Sequence, residues 1–202
     1  MRKVSVLFSA GVESSSLLLH YLDRNALTFP IYIKCGFPWE RVELFWAERL
    51  WAFLKKRYRN LRPLRIISSQ GIAPHNNSIE MPLRNLILLL NSVIESTRKG
   101  VRELAIGSLG IYPFPDNNKE FFSLLGTLLT DFGGIDFRID TPFMGMTKEE
   151  VIGSFHGRVP YNLTFSCMHP KGKLHCGQCE KCLERKEGFR EAGVPDPTCY
   201  LS

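Results

Sequence analysis

Four cysteines near the carboxyl end, Cys167, Cys176, Cys179 and Cys182, are spaced C-x8-C-x2-C-x2-C. Close CxxC pairs let thiolates converge on one ion, and four thiolates close a tetrahedral zinc shell of the structural kind. His169 and His175 lie in the same stretch and could replace one cysteine. A set of redox-active or buried free thiols fits this spacing less well. Cys35 and Cys199 fall outside the cluster, and Cys35, at a strand end, suits a core position better than a nucleophile.

A second group is Ser9-Ala10-Gly11-Val12-Glu13-Ser14-Ser15, between an apolar run and a helical pattern. Small residues let the backbone approach an anion closely, the serines offer hydroxyl donors, and a helix N-terminus adds free N–H groups and a positive dipole end. The segment is a candidate pyrophosphate cradle, though it is neither the Walker nor the Rossmann glycine pattern. A plain strand-to-helix turn with serine caps is the competing reading. Third comes Pro82-Leu83-Arg84-Asn85, where Arg84 falls in the first turn of a helix. A cation there opposes the helix dipole at a cost of up to about 1 kcal/mol unless an anion is near. A phosphate would resolve the conflict, and so would a surface pair with Glu80.

These groups need elements to hold them. Residues 4–8, 31–35, 64–67, 104–106 and 137–139 read as strands. Residues 14–24, 38–58, 82–97 and 117–131 read as helices, and Thr147 with Glu150 makes a capping box for one more. Residues 68–81, with Gly, Pro and Asn, read as a loop. The run Leu86-Ile87-Leu88-Leu89-Leu90 is apolar on nearly every face, which predicts a buried helix. After about Pro160 the alternation stops. Five strand–helix alternations predict an α/β fold with a five-stranded parallel, doubly wound sheet. Ligands in such folds sit at the carboxyl ends of the strands.

The chain of 202 residues suits one α/β domain with a small appendage, divided as residues 1–160 and a cysteine-bearing segment 161–202. A net charge of +6 suits an anionic ligand such as a nucleotide without establishing nucleic-acid binding. The basic run Lys55, Lys56, Arg57, Arg59, Arg62 and Arg65 reads as a solvated helix end, so a nucleic-acid partner is not expected. Trp39, Trp46 and Trp51 suit core or interface positions. No stretch approaches the roughly 18 apolar residues of a membrane span. Residues 4–8 are too short for a secretion signal, and Glu13 follows soon after. A cytoplasmic location is expected, where a cysteine cluster favours metal over disulfides.

Together these pieces resemble the QueC family, the 7-cyano-7-deazaguanine synthases, within the HUP/PP-loop type of ATP pyrophosphatase. The resemblance runs from the loop 9–15 through Met81-Pro82-Leu83-Arg84-Asn85, Gly107, Tyr112-Pro113, Asp116, Phe121, Thr141-Pro142 and Thr147-Lys148. It continues with Thr164, Ser166-Cys167 and Cys176-Gly177-Gln178-Cys179-Glu180-Lys181-Cys182. It ends with Arg185, Gly188-Phe189, Asp196-Pro197-Thr198 and Tyr200. It implies an ATP-dependent carbon–nitrogen ligase that adenylates a 7-deazaguanine carboxylate, releasing pyrophosphate and AMP and forming an amide or a nitrile. The implied cofactors are ATP, Mg²⁺ and Zn²⁺. The implied nucleotide contacts are Ser9, Ala10, Gly11, Glu13, Ser14, Ser15, Asn85 and Gly107. Arg84, Asp116 and Lys148 are the implied catalytic residues, and Tyr112 and Asp116 the substrate contacts. The resemblance leaves the acceptor open between ammonia and a protein amine, the latter in a bacterial defence system. It also leaves open a catalytically silent nucleotide- or deazapurine-binding subunit, and is compatible with a homodimer. The family loop reads Ser-Gly-Gly-x-Asp-Ser. Here Ala10 replaces the first glycine and Glu13 the aspartate.

Overall fold

The computed structural model of the chain describes residues 1–69, 83–112 and 114–201. The strands are β1 (Lys3–Leu7), β2 (Leu27–Lys34), β3 (Arg65–Ser68), β4 (Glu103–Ala105) and β5 (Arg138–Asp140). The helices are α1 (Val12–Leu22), α2 (Glu40–Lys55), α3 (Arg84–Arg98), α4 (Lys119–Thr127), α5 (Lys148–Phe155) and α6 (Glu180–Glu191). The strands form one parallel sheet in the order β3-β2-β1-β4-β5. The chain winds outward from β1 to β3, then returns to β4 and winds the other way. The order therefore reverses between β1 and β4, where folds of this class bind ligands.

Burial explains the strand composition. Val4, Val6, Leu7 and Leu104 lie inside, because helices cover both faces of the sheet. One core joins Leu17 and Leu18 of α1, Leu50 and Leu54 of α2, and Val151 and Ile152 of α5. The other joins Leu89 and Val93 of α3 to Phe122 and Leu125 of α4. β2 starts four residues earlier than the sequence predicts, running through Pro30. Proline has no N–H to give a ladder. The β2–β3 ladder begins just past it, at Ile31 with Arg65, while Thr28 on its other side meets Leu61 in an isolated bridge.

Three expectations about helices need correction. α3 is amphipathic rather than buried all round: Leu89 is buried, but Leu90 and Ile94 are exposed. The expected start of this helix at Pro82, and most of the loop before it, lie outside the described residues. α4 ends at Thr127 and passes into a π-helical turn, Leu128–Phe132. The cysteine segment also contains regular structure, α6, whose buried positions are Cys182, Arg185, Gly188 and Phe189.

Among the described residues no helix is long and apolar enough to cross a membrane.

Candidate active site and metal centre

The loop after β1 leads directly into α1, whose N-cap is Gly11 with no side-chain cap. The first-turn N–H groups are therefore open to a ligand. The Ser14 hydroxyl lies 3.3 Å from both the Ser9 hydroxyl and the Ser9 backbone nitrogen, at the long end of hydrogen bonding. The buried Ser15 hydroxyl has no hydrogen-bond partner among the described residues. A Cβ on Gly11 would stand 3.4 Å from Ser9 Oγ and 3.8 Å from Ser14 Oγ, filling the hollow that these side chains surround. Gly107, just past β4, faces the loop from the other side of the switch point. A Cβ there would come within 3.2 Å of the Glu13 backbone. Loop and Gly107 are thus apposed as a small-residue cradle with donors to spare, a fit to an anion such as pyrophosphate.

Ala10 adopts φ 61° and is fully buried. This left-handed conformation favours glycine and costs other residues roughly 1–2 kcal/mol. The Ala10 carbonyl accepts the Phe165 N–H at 2.8 Å, which ties the loop to the carboxyl-terminal segment.

Five charged and polar side chains meet at the loop. Lys148, the first residue of α5, is buried, and its ammonium lies 2.7 Å from Glu13 and 2.8 Å from Glu184. Burial alone would lower the Lys148 pKa, but the two carboxylates outweigh it and hold it above the ordinary lysine range. Burial would raise Glu184, yet Lys148 and Lys181 draw it down to about 2. Lys181 pairs with Glu184 at 3.1 Å, and the Tyr112 hydroxyl donates to Glu184. Burial pushes the Tyr112 hydroxyl well above its usual range, with Glu13 and Glu184 adding to the shift against the pull of Lys148. Sequence reasoning missed Glu184. Its only signals were its spacing from Lys181 and Gly188 on a helix that the residue pattern did not reveal.

Arg84, Asn85 and Asp116 stand apart from that network. The Asn85 backbone N–H donates to the Asp116 carboxylate at 2.7 Å, and the Asn85 side chain donates to the Asp116 carbonyl at 2.9 Å. The buried Asp116 thus caps the start of α3, where a carboxylate is favoured by the dipole. Arg84 is exposed, its guanidinium over the Phe37 ring at 5.4 Å. Among the described residues no hydrogen bond or ion pair joins Arg84 to the loop. Glu80, its alternative partner, lies outside them.

The sulfur atoms of Cys167, Cys176, Cys179 and Cys182 all lie within 4.8 Å of one another. Two of the pairs, Cys176–Cys182 and Cys167–Cys179, are 3.9 Å apart. Zn–S bonds of about 2.3 Å in a tetrahedron place sulfurs roughly 3.8 Å apart, so the cluster fits such an ion. The Cys176 and Cys179 N–H groups donate to the Cys167 and Cys176 sulfurs at 3.3 Å, as suits thiolates. Neither histidine substitutes for a cysteine. His169 is exposed, and the His175 Nε2 accepts the Ser166 N–H at 2.9 Å. Trp39, Val42 and Trp46 of the α2 region pack on the cluster, and the Trp46 indole donates to the Lys173 carbonyl. Arg185, fully buried, bonds Thr164 Oγ1 at 2.7 Å, the Tyr161 carbonyl at 3.0 Å and the Asp196 carboxylate at 3.2 Å.

Comparison with known proteins identifies the family. Residues 66–193 match the family model described as queuosine biosynthesis protein QueC. The 7-cyano-7-deazaguanine synthase 1 of Sulfurisphaera tokodaii is 32% identical over 99% of this chain and 98% of its own length. The 7-cyano-7-deazaguanine synthase of Methanothermobacter thermautotrophicus is 29% identical over 99% of both chains. Among solved structures, the U34-tRNA thiolase NcsA of Methanococcus maripaludis, with its [4Fe-4S] cluster, aligns with a TM-score of 0.52 at 14% identity. That alignment covers 94% of this chain and 65% of that one, a likeness of fold alone. The chain belongs to the QueC family.

Proposed function

We propose that this protein is an ATP-dependent ligase that adenylates a 7-deazaguanine carboxylate such as 7-carboxy-7-deazaguanine and converts it to an amide or nitrile. The observation that carries the reading is the open cradle of residues 9–15 at the switch point, facing Gly107 and flanked by Lys148. The near full-length likeness to named synthases supplies the substrate class.

A carboxylate is a poor electrophile, so adenylation comes first. A carboxylate oxygen attacks the α-phosphorus of ATP, the bond to the bridging oxygen breaks, and pyrophosphate leaves. Ammonia then attacks the acyl carbon, and AMP departs with the C–O bonding pair, giving the amide. The amide oxygen then attacks the α-phosphorus of a second ATP, releasing a second pyrophosphate and an N–H proton; loss of the remaining N–H proton and of AMP with the C–O bonding pair gives the nitrile. The α1 N–H groups with Ser9, Ser14 and Ser15 would receive the pyrophosphate, and Lys148 would offset charge growing on it. Mg²⁺ would supply further phosphate neutralisation, and Glu13 is the carboxylate of the loop that could help to hold it. Zn²⁺ on the four thiolates would hold residues 161–202 as a metal-binding segment on the ATP-binding unit 1–160. Tyr112 would contact the deazapurine, while Asp116 would act by fixing Asn85.

A second reading, a nucleotide-binding subunit without turnover, draws on the strained Ala10 and on the pairing of Lys148 with Glu13. Pyrophosphate release with 7-carboxy-7-deazaguanine, against a panel of other carboxylates, separates the two. We expect release with the deazapurine alone, and Ser14→Ala to lower it at least about tenfold, the equivalent of ~1.4 kcal/mol. ATP binding without release would favour the binding subunit.

A further inference from the structure

We propose that Glu184 is a positioning residue, through which α6 and the metal-binding cysteines fix where the Lys148 ammonium stands against the loop after β1. The proposal rests on the reading of that loop as the phosphate site.

A lysine at the first position of a helix faces an opposing dipole and has a long, mobile stem. Here the stem and the head are both held. Lys148 lies along α6 at Gly188, where a Cβ would come within 2.7 Å of Lys148 Cγ and 2.8 Å of its Cδ. Only the missing side chain of Gly188 leaves room for that path. The head sits between two carboxylates of different standing. Glu13 belongs to the loop, where an arriving phosphate competes for the same ammonium. Glu184 belongs to a helix whose N-cap is Cys179 and whose third residue is Cys182, so its backbone is tied to the metal centre. The Glu184 carboxylate is itself fixed by Lys181 and the Tyr112 hydroxyl. Lys148 thus keeps one partner when the loop's partner is engaged elsewhere.

The alternative is an ion pair that merely cements α5 to α6. Two variants separate these. Glu184→Gln keeps the shape and removes the charge. Gly188→Ala keeps the charge and blocks the stem, while helix propensity alone would make the protein more stable. Brief acetylation with N-hydroxysuccinimidyl acetate, read by mass spectrometry at Lys148 with exposed Lys171 as internal standard, needs no ATP. We expect Lys148 acetylation at least about fivefold faster in both variants, with metal content unchanged. Pyrophosphate release should fall about tenfold in kcat with the KM for ATP held within about twofold. Unchanged Lys148 labelling in both variants overturns the proposal, as does a rise that merely parallels metal loss. Native protein that releases no pyrophosphate defeats the ligase reading alone, and labelling still decides the position of Lys148.

Discussion

At Ala10 two effects oppose each other. Its left-handed backbone costs roughly 1–2 kcal/mol. Its buried methyl contributes about 0.8 kcal/mol. Glycine would also loosen the unfolded chain, by about 0.4–1 kcal/mol. The terms nearly cancel, so Ala10→Gly should move stability by less than about 1 kcal/mol, and any change in activity will report loop geometry. Glu13→Asp is different. It shortens the reach by about one C–C bond, ~1.5 Å, which takes the 2.7 Å contact with Lys148 out of hydrogen-bond range. We expect Glu13→Asp to lower pyrophosphate release about tenfold, and the double variant to do no better than the native protein. Activity found only in the double variant would mean that the native loop is retired. The loop and the cysteines were legible from sequence because their chemistry is local: small residues before a helix, and thiols at CxxC spacing. Of the Lys148 network, Glu13, Tyr112 and Lys148 entered only through the resemblance and Glu184 not at all, since tertiary packing alone brings the four together.

At the scale of elements, the parallel sheet was readable because buried strands are short apolar runs. The helix α6 was not, because its inward face includes Arg185 and Gly188, which no apolar period counts. Arg185 is turned inward by its bonds to Asp196, Thr164 and Tyr161, and Gly188 by the Lys148 stem. The seam of β2 and α2 holds another inward polar group. The Glu43 carboxylate accepts the Tyr32 hydroxyl at 2.6 Å. Burial pushes its pKa up to about 7, against the pull of the Tyr32 bond and of Arg84. A carboxyl raised in the folded state binds its proton more tightly there than in the unfolded chain, so folding loses stability as pH rises from the unfolded value through about 7. Glu43→Gln removes that loss. Its melting temperature relative to the native protein should climb between about pH 4.5 and about pH 7 and level off above that. Parallel melting curves across that window would show that Glu43 is not buried as an acid.

The whole molecule is arranged so that its carboxyl-terminal segment reaches the site from behind. Phe165 bonds the loop at Ala10, Tyr161 meets Ser16 of α1, and Glu184 meets Lys148 of α5. Beyond α6 the chain returns to the cysteines: the Leu201 N–H donates to the His175 carbonyl, and Tyr200 packs beside the cluster. A metal on the four thiolates would therefore stand where it could organise the proposed phosphate site without touching it. Binding of a structural zinc by four thiolates is worth about 10–16 kcal/mol at neutral pH. That matches the whole stability of a typical domain, about 5–15 kcal/mol. We expect one zinc per chain in freshly purified, reduced protein. Cys179→Ser should lower metal content and melting temperature together. Because Phe165, two residues before Cys167, ties the segment to the loop at Ala10, any folded remnant should also show less of the rise in melting temperature that we expect Mg-ATP to give the native protein. A Cys179→Ser protein that keeps its metal, or that loses it while melting and responding to ATP as the native chain does, would uncouple the two sites.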